Sequence, residues 1–308
     1  NSISADVTNC FGFHQSLFPQ VQTLFAPEWL LKETVATRLS LKKGIPVTYK
    51  AGDQLNNALS LNVLQPGEVA ATAGTSGVIY GVSNQLEYDQ QSRINSFAHV
   101  NYKADEARIG ILLCINGAGI FNRWVKNLIG ANRSYATLNE AAAKVSPGSN
   151  GLLALPFGNG AERMLNNRQV GAHFQNLDFN IHTDAHLVRA AQEGVAFAFR
   201  YGLDIMRENG MHPSIIRAGR ANLFLSDVFI QSFVNATQTA IEFYEGDGSY
   251  GAALGAGIGA GIYANTTEAF SNRKSVDCIE PEEDNNCEAQ YRQWKIFLNE
   301  KLNIEQTH

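Results

Sequence analysis

Segments of two periodicities alternate from residue 183 to residue 264, and this alternation constrains the fold more than any other feature. Between Thr183 and Asn209 the apolar or small positions Leu187, Ala191, Gly194, Val195, Ala198, Phe199, Leu203 and Met206 recur at helical spacing, with Thr183 or Asp184 as a cap and Gly210 as a stop. SIIRAG then reads as a strand, ANLFLSDVFIQSFVNA as a helix, TAIEFYEG as a strand and SYGAALGAGIGAGIYA as a helix. Such a chain builds a sheet with helices packed on its faces, because neither element buries its apolar side alone. Upstream, the pattern extends through a strand at 46–50, a short helix after Asp53, a strand in RIGILLCING, a helix in GAGIFNRWVKNLIG and a strand at 151–158. The loop that follows carries the charged pair Glu162-Arg163.

The two ends are less regular. FGFHQSLFPQVQTLF has aromatic residues without a clear period, APEWLLKETVATRLSLKKG reads as a helix ending at Gly44, and the acidic segment EPEEDNNCEAQYRQWKIFLNEKL reads as a surface helix. With 308 residues, 44% hydrophobic and 17% charged, the chain has the balance of a soluble globular protein. A formal net charge of −5 without a long Lys/Arg run argues against nucleic acid or an anionic membrane as partner. Four cysteines without CxxC or zinc-like spacing read as reduced thiols, and nothing resembles a signal peptide, so a cytoplasmic location is expected. The most membrane-like stretch, GAALGAGIGAGIYA, is short and dominated by Gly and Ala, which suits a tightly packed internal helix.

Several stretches carry candidate chemistry. In AGDQLNNALS, Asp53 stands at the exit of a strand and the entry of a helix, where a carboxylate either caps the helix or performs chemistry. In ATAGTSGVIYG, Gly74-Thr75-Ser76-Gly77 joins two apolar runs as a hairpin whose glycines and threonine hydroxyl suit a terminal phosphoryl group; an ordinary glycine-rich hairpin is the other reading. In RAGRANLFLS, Gly219 follows a strand and Asn222 opens a helix, either as a helix cap or as a place where a planar base lies against the backbone. Gly246 to Gly251 fits GxGxxG between strand and helix, but no further strand with a ribose-binding acid follows, so it reads as tight helix–sheet packing rather than a dinucleotide site.

Taken in order, AGDQLNNALSLNVL, ATAGTSGVIYG, GLLALPFGNGAER, VRAAQEGVAFAFR, RAGRAN and EGDGSYGAALGAGIGAG resemble the carboxyl-terminal half of the FGGY carbohydrate kinases. The resemblance covers roughly residues 45–265. It departs from the family at Asn176, where Gly is usual, at Gln192, where an apolar residue is usual, and at Arg220 in a motif that is usually GGGA-like.

The resemblance implies an α/β, ribonuclease H-like (actin-like ATPase) fold, a mixed sheet with helices on its faces. It implies ATP-dependent phosphorylation of a ketopentose, D-xylulose, with Asp53 as catalytic base, Gln54 on substrate hydroxyls, Gly74 and Thr75 on the phosphates, Gly119 beside the nucleotide, and Gly219 with Asn222 at the adenosine. Magnesium is expected with ATP, without a direct protein ligand in this chain. On this reading residues 1–57 are the end of an N-terminal domain and the crossover, 58–265 the C-terminal ATPase domain, and 266–308 a tail. The missing N-terminal domain, which carries a D-x-G-T hairpin in the family, is then a partner, and the isolated chain is an inactive fragment; a homodimer stays open. Another FGGY sugar or polyol (ribulose, gluconate, glycerol), a nicotinamide oxidoreductase and a noncatalytic actin-like nucleotide-binding module are the competing expectations.

Overall fold

The computed structural model describes residues 3–21, 23–283 and 286–304. They form two compact units, 1–52 with 252–272 and 53–251 with 273–308.

The first unit opens with α1 (Ala5–Cys10), β1 (Phe25–Leu30), α2 (Glu33–Arg38) and β2 (Pro46–Tyr49). Residues 26–31, expected to be helical, are mostly strand: β1 pairs antiparallel with β2, with Phe25 opposite Tyr49 and Trp29 opposite Val47. Pro27 suits a helix start as well as a strand irregularity, and it lies within the register shift between Phe25 and Trp29. Aromatic pairing favours the strand, since Phe25 stacks on Tyr49 with centroids 5.2 Å apart.

The second unit begins with α3 (Asp53–Ser60), then β3 (Glu68–Ala73), β4 (Gly77–Ser83), β5 (Asn95–Ala98) and β6 (Ile109–Ile115). Next come α4 (Gly119–Gly130), α5 (Tyr135–Ala143), β7 (Leu153–Phe157), β8 (Gly171–Gln175), α6 (Asp184–Glu208), β9 (Ile215–Gly219), α7 (Asp227–Thr237), β10 (Ile241–Tyr244) and α8 (Gly248–Gly259). The chain returns to the first unit for α9 (Thr266–Phe270) and finishes in the second with β11 (Asp277–Ile279) and α10 (Cys287–Ile304). Seven strands form a mixed sheet in the order β11-β10-β9-β3-β4-β6-β5. β9 runs parallel to β3 and to β10, and the remaining pairs are antiparallel. β7 and β8 form a separate hairpin.

Helix α6 is the centre of the core and is buried without interruption from Val188 to Phe199, the charged pair within that stretch being satisfied internally, Arg189 to Glu193 at 2.8 Å. Backbone passes so near that Gly194 admits no side chain: a Cβ there would lie 2.3 Å from the Ala154 carbonyl oxygen of β7. Helix α10 is not a surface helix. Trp294, Phe297 and Leu298 are buried, and the Trp294 indole N–H donates to the same Ala154 oxygen at 2.8 Å. Tyr291, Trp294 and Leu298 share one helix face, which outweighs the acidic run ahead of them.

In the first unit the small residues of α8 meet β2. A Cβ at Gly259 would lie 2.1 Å from the Thr48 carbonyl oxygen, and the Thr48 hydroxyl donates to the Ala256 carbonyl at 2.7 Å. In the second unit Gly251, the last glycine of the GxGxxG match, lies against α3, where its Cβ would fall 1.9 Å from the Asn56 carbonyl oxygen. The turn packs helix on helix rather than helix on sheet.

Among the described residues, no helix is long and apolar enough to cross a membrane.

Candidate nucleotide site

The hairpin of β3 and β4 closes at Ala73↔Gly77, leaving Gly74, Thr75 and Ser76 as its tip, with Thr75 exposed. Helix α4 starts against this tip. Its N-cap, Ala118, offers no side-chain acceptor, and the hairpin carbonyls take that role: Gly119 N–H donates to Gly74 O at 2.9 Å and Ile120 N–H to Thr75 O at 3.1 Å. Two of the four helix-start donors are thereby satisfied. Gly119 is required by the approach, because a Cβ there would lie 2.2 Å from Gly74 O.

The turn before α4 is held from the other side. Glu162, fully buried, accepts the backbone N–H groups of Asn116 and Gly117, both at 3.0 Å. Burial pushes its carboxyl up to about 7, against the pull of those two hydrogen bonds. Gly117 also admits no Cβ, which would fall 1.8 Å from Pro156 O.

On the far side of the hairpin, β9 ends at Gly219 and a short 3₁₀ turn starts at Asn222, which holds φ +55. The Asn222 amide nitrogen lies 3.7 Å from where a Cβ on Gly74 would be. Gly74, Thr75, Gly119 and Asn222 thus line one cleft of about 350 Å³, together with Arg123, Tyr135, Asn139, Leu225 and Ser226. Gly219 does not line it; it pairs with Tyr244 of β10, and its carbonyl accepts the Ala221 N–H at 2.9 Å.

Asp53 and Gln54 do not line this cleft either. Asp53 is exposed at the first residue of α3, where its carboxylate accepts the Gln54 backbone N–H at 2.9 Å and the Gln54 side-chain NH₂ at 3.3 Å. The other end of that amide, Gln54 Oε1, is buried and has no hydrogen-bond partner among the described residues. Arg220 is turned to protein carboxylates, with Asp277 at 3.4 Å and Asp227 at 3.7 Å, and its guanidinium lies over the Phe243 ring.

The sequence reading missed Arg123, Tyr135, Asn139 and Ser226. Arg123 follows Gly119 by four residues and so shares its helix face, a signal available from spacing. Tyr135 and Asn139 lie on α5, a segment too rich in alanine to show a face.

Known proteins resemble this chain in sequence and in fold. It is 29% identical to the xylulose kinase of Haemophilus influenzae over 188 residues, 61% of this chain and 36% of that protein. It is 29% identical to the gluconokinase of Bacillus subtilis over 173 residues, 53% of this chain and 33% of that protein. The crystal structure of xylulose kinase from Rhodospirillum rubrum superposes with a TM-score of 0.84 at 23% identity, over 96% of this chain and 59% of that one. The shared fold is the actin-like ATPase, or ribonuclease H-like, fold. The chain spans about a third of the length of these two relatives. Residues 69–263 match the C-terminal domain of the FGGY family of carbohydrate kinases, and the chain belongs to that family.

Proposed function

We propose that this chain supplies the nucleotide site and the general base of an ATP-dependent kinase that phosphorylates D-xylulose at its terminal hydroxyl. The observation that carries the reading is the union of the Gly74-Thr75 tip with the start of α4 in the wall of one cleft. The Thr75 hydroxyl and the glycine backbone suit phosphate oxygens, and a rigid support keeps donors in place as charge moves to the leaving oxygen. Xylulose kinases among the similar proteins favour the ketopentose as acceptor.

Asp53 is the general base in this reading. An exposed carboxylate at a helix start accepts the sugar hydroxyl proton as that oxygen attacks the γ-phosphorus in line. Gln54 Oε1, buried and without a partner among the described residues, is an acceptor suited to a sugar hydroxyl. Gly219 places Asn222 for the adenosine. Magnesium arrives as MgATP, carried by the phosphates whose charge it neutralises. A domain preceding residue 1 completes the cleft around the sugar, and the chain alone binds nucleotide without turnover. A cytoplasmic location, where ATP is abundant, fits this role.

A second acceptor, gluconate, is favoured by the 29% identity to a gluconokinase. The test is ADP release by the full-length polypeptide with MgATP and, in turn, D-xylulose, ribulose, gluconate and glycerol. Release with D-xylulose alone is expected. Release only with gluconate moves the acceptor, and ADP binding without release on any sugar leaves a nucleotide-binding module.

A further inference from the structure

A buried amide links two polar residues of the cleft. Gln192 on α6 is fully buried; its Nε2 donates to Asn139 Oδ1 at 2.9 Å, and its Oε1 accepts the Ser226 hydroxyl at 2.7 Å. Asn139 and Ser226 both line the cleft that holds Gly74 and Thr75. An amide in a helix core is costly unless both of its ends are bonded, and here both partners belong to the cleft.

The direction of each bond follows from the far end of the chain of contacts. Ser226 caps α7, its Oγ accepting the Phe229 N–H at 3.4 Å. The single hydroxyl proton is then given to Gln192 Oε1. With its oxygen engaged, Gln192 turns its NH₂ to α5, and Asn139 answers with Oδ1. What Asn139 keeps for the cleft is therefore its NH₂, a pure donor.

The neighbours of Asn139 suit a nucleoside. Tyr135 lies one turn earlier on the same face of α5, Leu225 adjoins Ser226, and both are exposed at the cleft, at 44% and 66%. Apolar side chains left open there are surfaces for a planar base, whereas the hairpin tip suits the phosphates. We propose that Asn139 donates a hydrogen bond to an acceptor atom of the bound nucleoside, and that Gln192 is the positioning residue that fixes this polarity. The proposal rests on the nucleotide reading of the cleft and deepens it.

The experiment is calorimetric titration of the chain with MgADP and with magnesium tripolyphosphate, which has phosphates and no nucleoside. Asn139→Ala and Gln192→Leu should each weaken ADP roughly two- to tenfold, the worth of one net hydrogen bond, and leave tripolyphosphate unchanged. Gln192→Glu should weaken ADP likewise, because a carboxylate accepts only and draws the Asn139 NH₂ inward, turning an acceptor to the nucleoside. Should the buried variants fail to fold, Asn139→Ala at its half-buried position decides alone. Unchanged ADP affinity in Asn139→Ala overturns the proposal, as does an equal loss for both ligands. A wild-type chain that binds tripolyphosphate but not ADP, or neither, overturns the nucleotide reading itself.

Discussion

The amide N–H of Gly119 donates to the carbonyl oxygen of Gly74 at 2.9 Å, so the first residue of α4 is bonded to the hairpin tip. Hairpin and helix therefore move together. Gly119→Ala would set a methyl 2.2 Å from that oxygen, and since the obstacle is backbone, the tip itself must shift. ADP affinity should fall about tenfold or more, with a loss of about 1–3 kcal/mol in stability. Titration and urea unfolding of the same variant check the two effects; normal ADP binding would separate the hairpin from the nucleotide.

Asp53→Asn keeps the size of the side chain and removes its basicity. In the full-length polypeptide the phosphoryl-transfer rate should fall by about two to four decades, while ADP affinity in the same variant stays within twofold. Asp53 lines no part of the Gly74–Thr75 cleft, which is why the two readouts should part. Normal turnover would return Asp53 to the role of a helix-start carboxylate.

Glu162 gives a pH signature. Its carboxyl is raised from 4.5 to about 7 in the folded chain, so the stability tied to it is fully present below pH 4.5 and is lost as pH rises through 7. Glu162→Gln removes that loss. The stability difference, variant minus wild type, should grow between pH 4.5 and 7 by roughly 3 kcal/mol. Buried His99 has the opposite sign in both proteins. Its Nε2–H donates to Val63 O, its Nδ1 accepts the Tyr80 hydroxyl, and burial lowers it to about 4, so its contribution is present above 6.5 and fades as pH falls. In wild type the two slopes oppose each other where they overlap, and urea titrations at stepped pH on both proteins isolate the Glu162 contribution. A constant difference would mean that Glu162 is not protonated in this range.

Trp294→Phe should cost about 1–3 kcal/mol, because an aromatic ring is kept in most of the indole's place while the buried Ala154 oxygen loses its donor. Trp294→Ala should cost more, about 3–5 kcal/mol. Thermal unfolding of the chain measures both. Equal losses would show that the hydrogen bond alone secures α10, whereas no loss in Trp294→Phe would leave packing as the sole contribution.

The hairpin at Gly74–Gly77 and helix α6 were legible because their signals are short-range: a glycine pair between apolar runs, and a 3.6-residue period with caps. β5 and β8 went unread, since NSFA and GAHFQ are short and show pattern only beside β6 and β7. The strand character of 25–30 depends on β2, about twenty residues on. Within the cleft, the glycine turns pointed to Gly74, Thr75 and Asn222, and the family resemblance to Gly119. Asn139 and Ser226 could not be found in that way, because what selects them is a hydrogen-bond tally across Gln192, some fifty residues from one partner and over thirty from the other.

Ala154 and Trp294 are 140 residues apart in the chain. On a ribosome adding about 5–20 residues per second, the β7 strand emerges and then stands without its cover for roughly seven to thirty seconds. During that interval Phe157 and Phe197, which pack on the Trp294 ring, have no lid, and the nascent chain offers an aromatic surface to chaperones and to neighbouring chains. Synthesis that stalls before residue 287 would release a polypeptide with its glycine turns complete and its core open, so the yield of folded protein should depend on translation through the eighteen residues of α10.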